Sequence, residues 1–212
     1  MENDVLTEQT KGAAPGAGAP TLRRRFLDLA FQEMYENGFA RLRIDALIEK
    51  AGSTKGAFYH HFPSKTALGY AVVDEILANF ADEIWGRRLA EFADPLEGIE
   101  ASAQTAMETL GPRCKEFGCP FNNLAQEMSA VDEGFRQRLS GLFDRIIANI
   151  AEALQRGQRN GYVRDDIDAV VTANFVFAAL EGSLGLVKTM GAERAFDVSF
   201  RGLHDYLATL RR

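Results

Sequence analysis

The chain is predicted to be all-α, with about nine helices in two parts, and three observations predict it. Apolar residues recur at spacings of three and four over most of its 212 residues. Capping residues and glycines punctuate those runs: Thr54, Ser64, Asp94 and Asp132 open helices, and Gly38, Gly52, Gly111 and Gly161 close them. No hairpin pattern or internal repeat interrupts the series.

Composition narrows the class. A hydrophobic share of 46% and a charged share of 25% are those of an ordinary globular protein. No apolar run approaches the roughly 20 residues of a membrane-spanning helix, and the N-terminus lacks a charged leader with an apolar core, so a cytoplasmic location is expected.

Taken in order, residues 1–20 are rich in Gly, Ala and Pro, with GAAPGAGAP from Gly12 to Pro20, and read as a disordered arm. Its only basic residue is Lys11, which argues against a minor-groove role. In TLRRRFLDLAFQEMYENG, Leu22, Phe26, Leu29, Ala30 and Met34 form a stripe that Gly38 ends. A second helix carries Ile44, Leu47, Ile48 and Ala51 on one face. Gly52 ends it, and Thr54 caps a third helix from Lys55 to about His61, stopped by Pro63. Ala57, Phe58 and Phe62 can bury, leaving Lys55, Gly56, Tyr59 and His60 on the other side. A two-turn helix so divided, set after a tight turn, suits the major groove of DNA.

Ser64 caps a long fourth helix to about Phe92, in which Leu68, Val72, Ile76, Phe80 and Ile84 repeat every four residues without a flexible linker. Asp94-Pro95 opens a fifth that ends near Gly111-Pro112. A short sixth runs from Cys119 or Pro120 to Ser129. Asp132 caps a seventh, striped by Phe135, Leu139, Leu142, Phe143, Ile146, Ile147, Ile150 and Leu154. The eighth is expected from about Asp166 to Met190 and is apolar nearly all round, so it must be covered on several sides. Phe196, Phe200, Leu203, Leu207 and Leu210 stripe a ninth.

The first helix, then Asn37-Gly38-Phe39, then AGSTKGAFYHHFPSK from Ala51 to Lys65, resemble the N-terminal domain of the tetracycline-repressor family of bacterial transcription regulators. The resemblance covers about residues 21 to 70 and rests on Gly38-Phe39, Ala51-Gly52, Lys55-Gly56, Phe58-Tyr59, Phe62 and Lys65 at the family's spacing; beyond it the chain matches only in being helical. It implies a DNA-binding domain at 21–66 and a ligand-binding and dimerisation domain at 67–212. Thr54 would cap the recognition helix and touch phosphate, Lys55 and Gly56 would approach base edges, and Tyr59 and His60 would contact backbone or a base methyl. Lys65 would add a phosphate contact. Arg43 departs from the family, which has Ser or Thr there: Arg cannot cap in the same way, though its guanidinium reaches phosphate.

The net charge of -6 does not exclude a nucleic-acid partner. Residues 20–70 hold eight Lys or Arg against five Asp or Glu, whereas residues 71–212 hold 15 against 22, so the acid belongs to the distal part. Arg23, Arg24 and Arg25 form either a solvated helix face or a phosphate-binding one. His60 and His61, adjacent on a helix, point about 100° apart and are poorly placed to share a metal, and no metal or cofactor is expected. No catalytic constellation stands out, so an enzyme is not expected.

The resemblance places an effector pocket among the distal helices, which offer Phe80, Trp85, Met107, Phe117, Phe121, Asn123, Gln126, Phe143, Asn174, Phe177 and Glu181. Aromatic residues there serve equally as core, whereas Asn123, Gln126, Asn174 and Glu181 need polar partners that a ligand can supply. The surplus apolar face of helix eight, with Phe175, Ala178, Gly182 and Gly185, and Leu203 of helix nine, predict a homodimer. Cys114 and Cys119 are possible sensor thiols, Arg113 and Lys115 being expected to lower the pKa of Cys114; the run from Gly118 to Glu127 resembles a segment of some family members that respond to reactive molecules. The function expected is a ligand-responsive repressor released from operator DNA by a small molecule. The alternatives are a thiol-based redox sensor and a DNA-binding dimer without a ligand.

Overall fold

The computed structural model describes residues 20–212, apart from the side chains of 192–197; residues 1–19 of the expected arm and the side chain of Phe196 lie outside the described residues. Helices α1 (Leu22–Asn37), α2 (Ile44–Lys50) and α3 (Lys55–His61) come first. Thr21, Thr54 and Ser64 each accept a bond from a backbone N–H one turn on, and Gly38 and Gly52 turn the chain at φ 82° and 59°. The fourth helix, α4, comprises consecutive stretches Lys65–Ala71, Val72–Leu77, Ala78–Ala81 and Asp82–Arg88, of which the second and fourth are wide π turns. The wide turns have a reason in the sequence. A strict four-residue repeat creeps around an α-helix of about 3.6 residues per turn, and i→i+5 turns bring it back. Of the expected stripe, Leu68, Val72 and Ile84 are buried and Ile76 and Phe80 half-exposed, and Val73, Leu77, Ala81 and Trp85, one residue on, are buried as well.

The remaining helices are α5 (Pro95–Leu110), α6 (Pro120–Met128), α7 (Glu133–Asn160), α8 (Ala169–Met190) and α9 (Ala192–Ala208). A five-residue helical turn, Arg113–Phe117, fills a segment the periodicity leaves unassigned. Helix α8 begins at Ala169 rather than near Asp166, because Asp168 is its cap, accepting from the N–H groups of Val170 and Val171. It also corrects the count of apolar runs: Ala169–Met190 is long and apolar enough to cross a membrane by length and composition alone. Within this chain its face of Thr172, Ala173, Val176, Phe177, Leu180 and Val187 is buried by protein.

The chain forms two compact units. The first comprises residues up to Asn79 together with Pro120–Leu139, so α6 and the start of α7 cluster with α1 to α3 although they follow α5 in sequence. Phe26 meets Phe58 and Phe62 edge-on, at 5.2 and 6.5 Å between centroids, beside Leu27, Leu47 and Leu68. Burying each such ring contributes on the order of 2 kcal/mol relative to exposing it. Phe135 packs on Phe39 and Tyr70 at 4.8 and 4.9 Å. Asp132 caps α7 through the Phe135 N–H and accepts the Tyr70 hydroxyl at 2.6 Å.

The second unit comprises Phe80–Cys119 and Ser140–Arg212. Its core holds Leu89, Leu96, Ile99, Leu142, Ile146, Ile150, Leu154 and Val176. Asp94 caps α5 and accepts Arg211 Nη1 at 2.5 Å, and Phe175 of α8 meets Tyr206 of α9 at 4.7 Å.

Candidate nucleic-acid interface

The third helix has the two faces its sequence requires. Phe58 is wholly buried against Phe26, which anchors the helix; Lys55, Gly56, Tyr59 and His60 are exposed, and Tyr59 shows 52% of its surface to solvent. The Thr54 hydroxyl accepts from the Ala57 N–H at 3.2 Å and so fixes the helix start. A Cβ on Gly56 would meet only the Thr54 hydroxyl, at 4.0 Å, so the backbone there is open to close approach by a groove wall. The Lys55 ammonium reaches back to Asp45 of α2 at 2.9 Å; this pairing raises the lysine pKa and lowers that of the aspartate. Phosphate would compete with Asp45 for that cation.

Other expected contacts stand differently. Arg43 is exposed in extended backbone at the α2 N-cap and makes no side-chain capping bond. Lys65 turns inward: its ammonium donates to the Ala40 carbonyl at 2.9 Å, lies 4.9 Å from the Phe39 ring centroid, and burial pushes its pKa down. Arg23 is bidentate to Glu75 at 2.6 and 2.5 Å and Arg24 binds Asp28 at 2.7 Å, so both serve the fold. The His60 and His61 rings lie 5.3 Å apart, and no group of three or more metal-ligating side chains stands together among the described residues.

One contact in this unit escaped the sequence. Glu127 of α6 accepts the N–H groups of Phe39 and Ala40 at 2.8 and 2.7 Å, gripping the loop between α1 and α2. A Cβ on Gly38 would come within 3.0 Å of that carboxylate, so the glycine is needed for its φ and for room.

In the second unit a cavity of about 590 Å³ lies among α5, the turn after it and α9. Met107, Phe200 and Leu203 form its apolar wall, and Gln104, Glu108, Lys115 and the Glu100–His204 pair, 2.8 Å apart, supply polar groups. Of the expected ligand residues only Met107 lines it, joined by Cys114. Leu203, expected at a dimer interface, is buried inside the chain here. Trp85 is buried core, and Phe80 and Phe117 are half-exposed. Phe143 meets Phe177 at 5.2 Å. Asn174 is exposed and bonds the Val170 carbonyl. Phe121, Asn123 and Gln126 belong to the first unit, with Phe121 buried and Gln126 exposed, bonding Asn122 at 3.4 Å.

The thiols correct another expectation. Cys114 is buried, and burial pushes its pKa up, outweighing the lowering pull of Lys115. Cys119, also buried, donates to Glu181 Oε1 at 3.3 Å. The Oε2 atom of Glu181 is buried without a hydrogen-bond partner, and desolvation raises the carboxyl to about 7.

Two family models match. Residues 26–72 fit the tetR family of bacterial regulatory proteins, and residues 95–203 fit the tetracyclin repressor-like C-terminal domain. An HTH-type transcriptional regulator from the lacX 3' region of Lactococcus lactis subsp. lactis is 28% identical over 166 residues, 78% of this chain and 83% of that one. The HTH-type transcriptional repressor DhaR of Mycobacterium sp. (strain GP1) is 24% identical over 163 residues, 77% and 80% of the two chains. The crystal structure of a regulatory protein TetR from Rhodobacter sphaeroides superposes with a TM-score of 0.78 at 21% identity, covering 87% of this chain and 98% of that one. With an exposed recognition helix on a buried aromatic anchor and both halves of the family pattern matched, the chain belongs to the TetR family of ligand-responsive, DNA-binding transcriptional repressors.

Proposed function

We propose that this chain acts as a cytoplasmic homodimer that reads an operator through Lys55, Gly56, Tyr59 and His60, and that a small molecule held in the cavity beside Met107 and Leu203 releases it. The carrying observation is the exposed face of α3, where Tyr59 stands 52% exposed beside a buried Phe58. An aromatic so displayed on a two-turn helix has a phosphate or a base methyl as its natural partner. Thr54 and Arg43 flank it and hold phosphate. Lys65 contributes by shaping the loop at Ala40, whose carbonyl it already binds.

The functional division is DNA contact in 21–66 and ligand binding and dimerisation in 67–212. The stripe of Val170, Val171, Phe175, Ala178, Gly182 and Leu186, exposed on α8, supports pairing with a second copy. A cavity of about 590 Å³ with mostly apolar walls suits a small organic effector. Effector and DNA select different separations of the two recognition helices, so each weakens the other by linkage. Buried thiols, one with a raised pKa, favour this reading over a thiol sensor. No catalytic step belongs to it.

The test is fluorescence anisotropy with DNA from upstream of the chain's own gene, against scrambled duplex at physiological salt. Selective binding is expected, and Tyr59→Ala should weaken it about tenfold or more, the scale of a lost base or phosphate contact. Undiminished binding by that variant would remove α3 as the reading element.

A further inference from the structure

We infer that Glu127 is a positioning residue for operator binding: it touches no DNA, yet sets the pose of the helix-turn-helix by holding the loop from Gly38 to Ala40. Both carboxylate oxygens are committed, one to the Phe39 N–H at 2.8 Å and one to the Ala40 N–H at 2.7 Å. Hydrogen bonds to an ionised acceptor are about twice as strong as neutral ones, and two on adjacent amides fix orientation as well as distance. From another side the Lys65 ammonium binds the Ala40 carbonyl at 2.9 Å and rests against the Phe39 ring. The loop is therefore clasped by an acid from α6 and a base from the first turn of α4.

That loop is the only covalent path from α1 into α2 and α3, so its conformation governs how the recognition helix leaves the aromatic anchor. The neighbouring packing reinforces the grip. Phe39 meets Phe135 at 4.8 Å, and a Cβ on Gly69 would lie 2.6 Å from both rings, which leaves no slack. The acid reaches the loop from 88 residues further along the chain.

The experiment compares wild type, Glu127→Gln and Glu127→Ala as full chains, on a duplex that the wild-type protein selects from a random pool, and on scrambled duplex. The substitutions remove a negative charge from a DNA-binding unit, so charge alone would tighten binding to both duplexes. Positioning predicts the opposite sign: Gln should weaken operator binding about tenfold, the scale of one lost charge-assisted hydrogen bond, and Ala should weaken it further. Affinity for scrambled duplex should stay within about twofold, and the slope of log affinity against log salt should not change, because no phosphate contact is lost. Glu127→Gln is nearly isosteric, and circular dichroism at the assay temperature checks that it is folded. Operator affinity within about twofold of wild type in the folded Gln and Ala variants, or tighter binding to both duplexes, would overturn the inference. A lowered melting temperature with unchanged operator affinity would assign Glu127 to stability alone.

Discussion

Glu181 carries a carboxyl raised to about 7 by burial, with one oxygen on the Cys119 thiol and the other unpartnered. The folded state therefore holds its proton at pH values where the unfolded chain has released it. Stability falls as pH rises from the ordinary carboxylate range through about 7 and levels off above. Glu181→Gln should abolish that fall, leaving the variant more stable than wild type at pH 8 by as much as about 3 kcal/mol and close to it at pH 5. Urea denaturation of both chains at the two pH values reads this directly; parallel pH dependence would show that the carboxyl titrates normally. Lys55 and Tyr59 were legible as candidate contacts because their exposure follows from helical position relative to Phe58. Glu127 was not, since a glutamate on a polar helix face gives no sign of amide partners 88 residues away.

Among the elements, α2 begins without a side-chain cap, while α3 and α4 begin with Thr54 and Ser64 bonded to their first turns. Arg43→Thr should supply the missing cap and stabilise the fold by about 1 kcal/mol. The same change removes a guanidinium from the proposed DNA-contacting face, so operator affinity should fall and the salt slope should drop by about one. Thermal melting and anisotropy at several salt concentrations report the two effects separately, and a lower melting temperature would show that Arg43 stabilises α2 by other means. The π turns of α4 belong to this scale too. A four-residue repeat announces a helix but not its winding, which the packing of Val73, Leu77 and Ala81 decides.

At the scale of the whole molecule, α8 leaves Val170, Val171 and Phe175 exposed, beside Ala178 and Gly182, where a Cβ would meet nothing within 4 Å of the glycine. Such a surface is costly in water and inexpensive when matched by its own copy. Ala178→Arg should give a particle of monomer mass by light scattering and weaken operator binding by orders of magnitude, because a single half-site loses the second subunit's contacts. A dimeric mass for that variant would place the interface elsewhere. Leu203, assigned to the interface by its stripe, lies inside the subunit and lines the cavity, since a stripe marks a buried face without saying what buries it.

What the sequence determined by itself was local. Caps at Thr54, Ser64, Asp94 and Asp132, and turns at Gly38 and Gly52, follow from bonds and backbone angles within a few residues. The all-α class and the two-faced recognition helix follow with them. The tertiary structure decided what depends on distant partners. It placed Pro120–Leu139 with the DNA-binding helices, turned Lys65 inward and buried both thiols. It also opened a cavity between α5 and α9, lined by Met107 and Leu203. Helical periodicity specifies which face is buried, and only packing specifies against what.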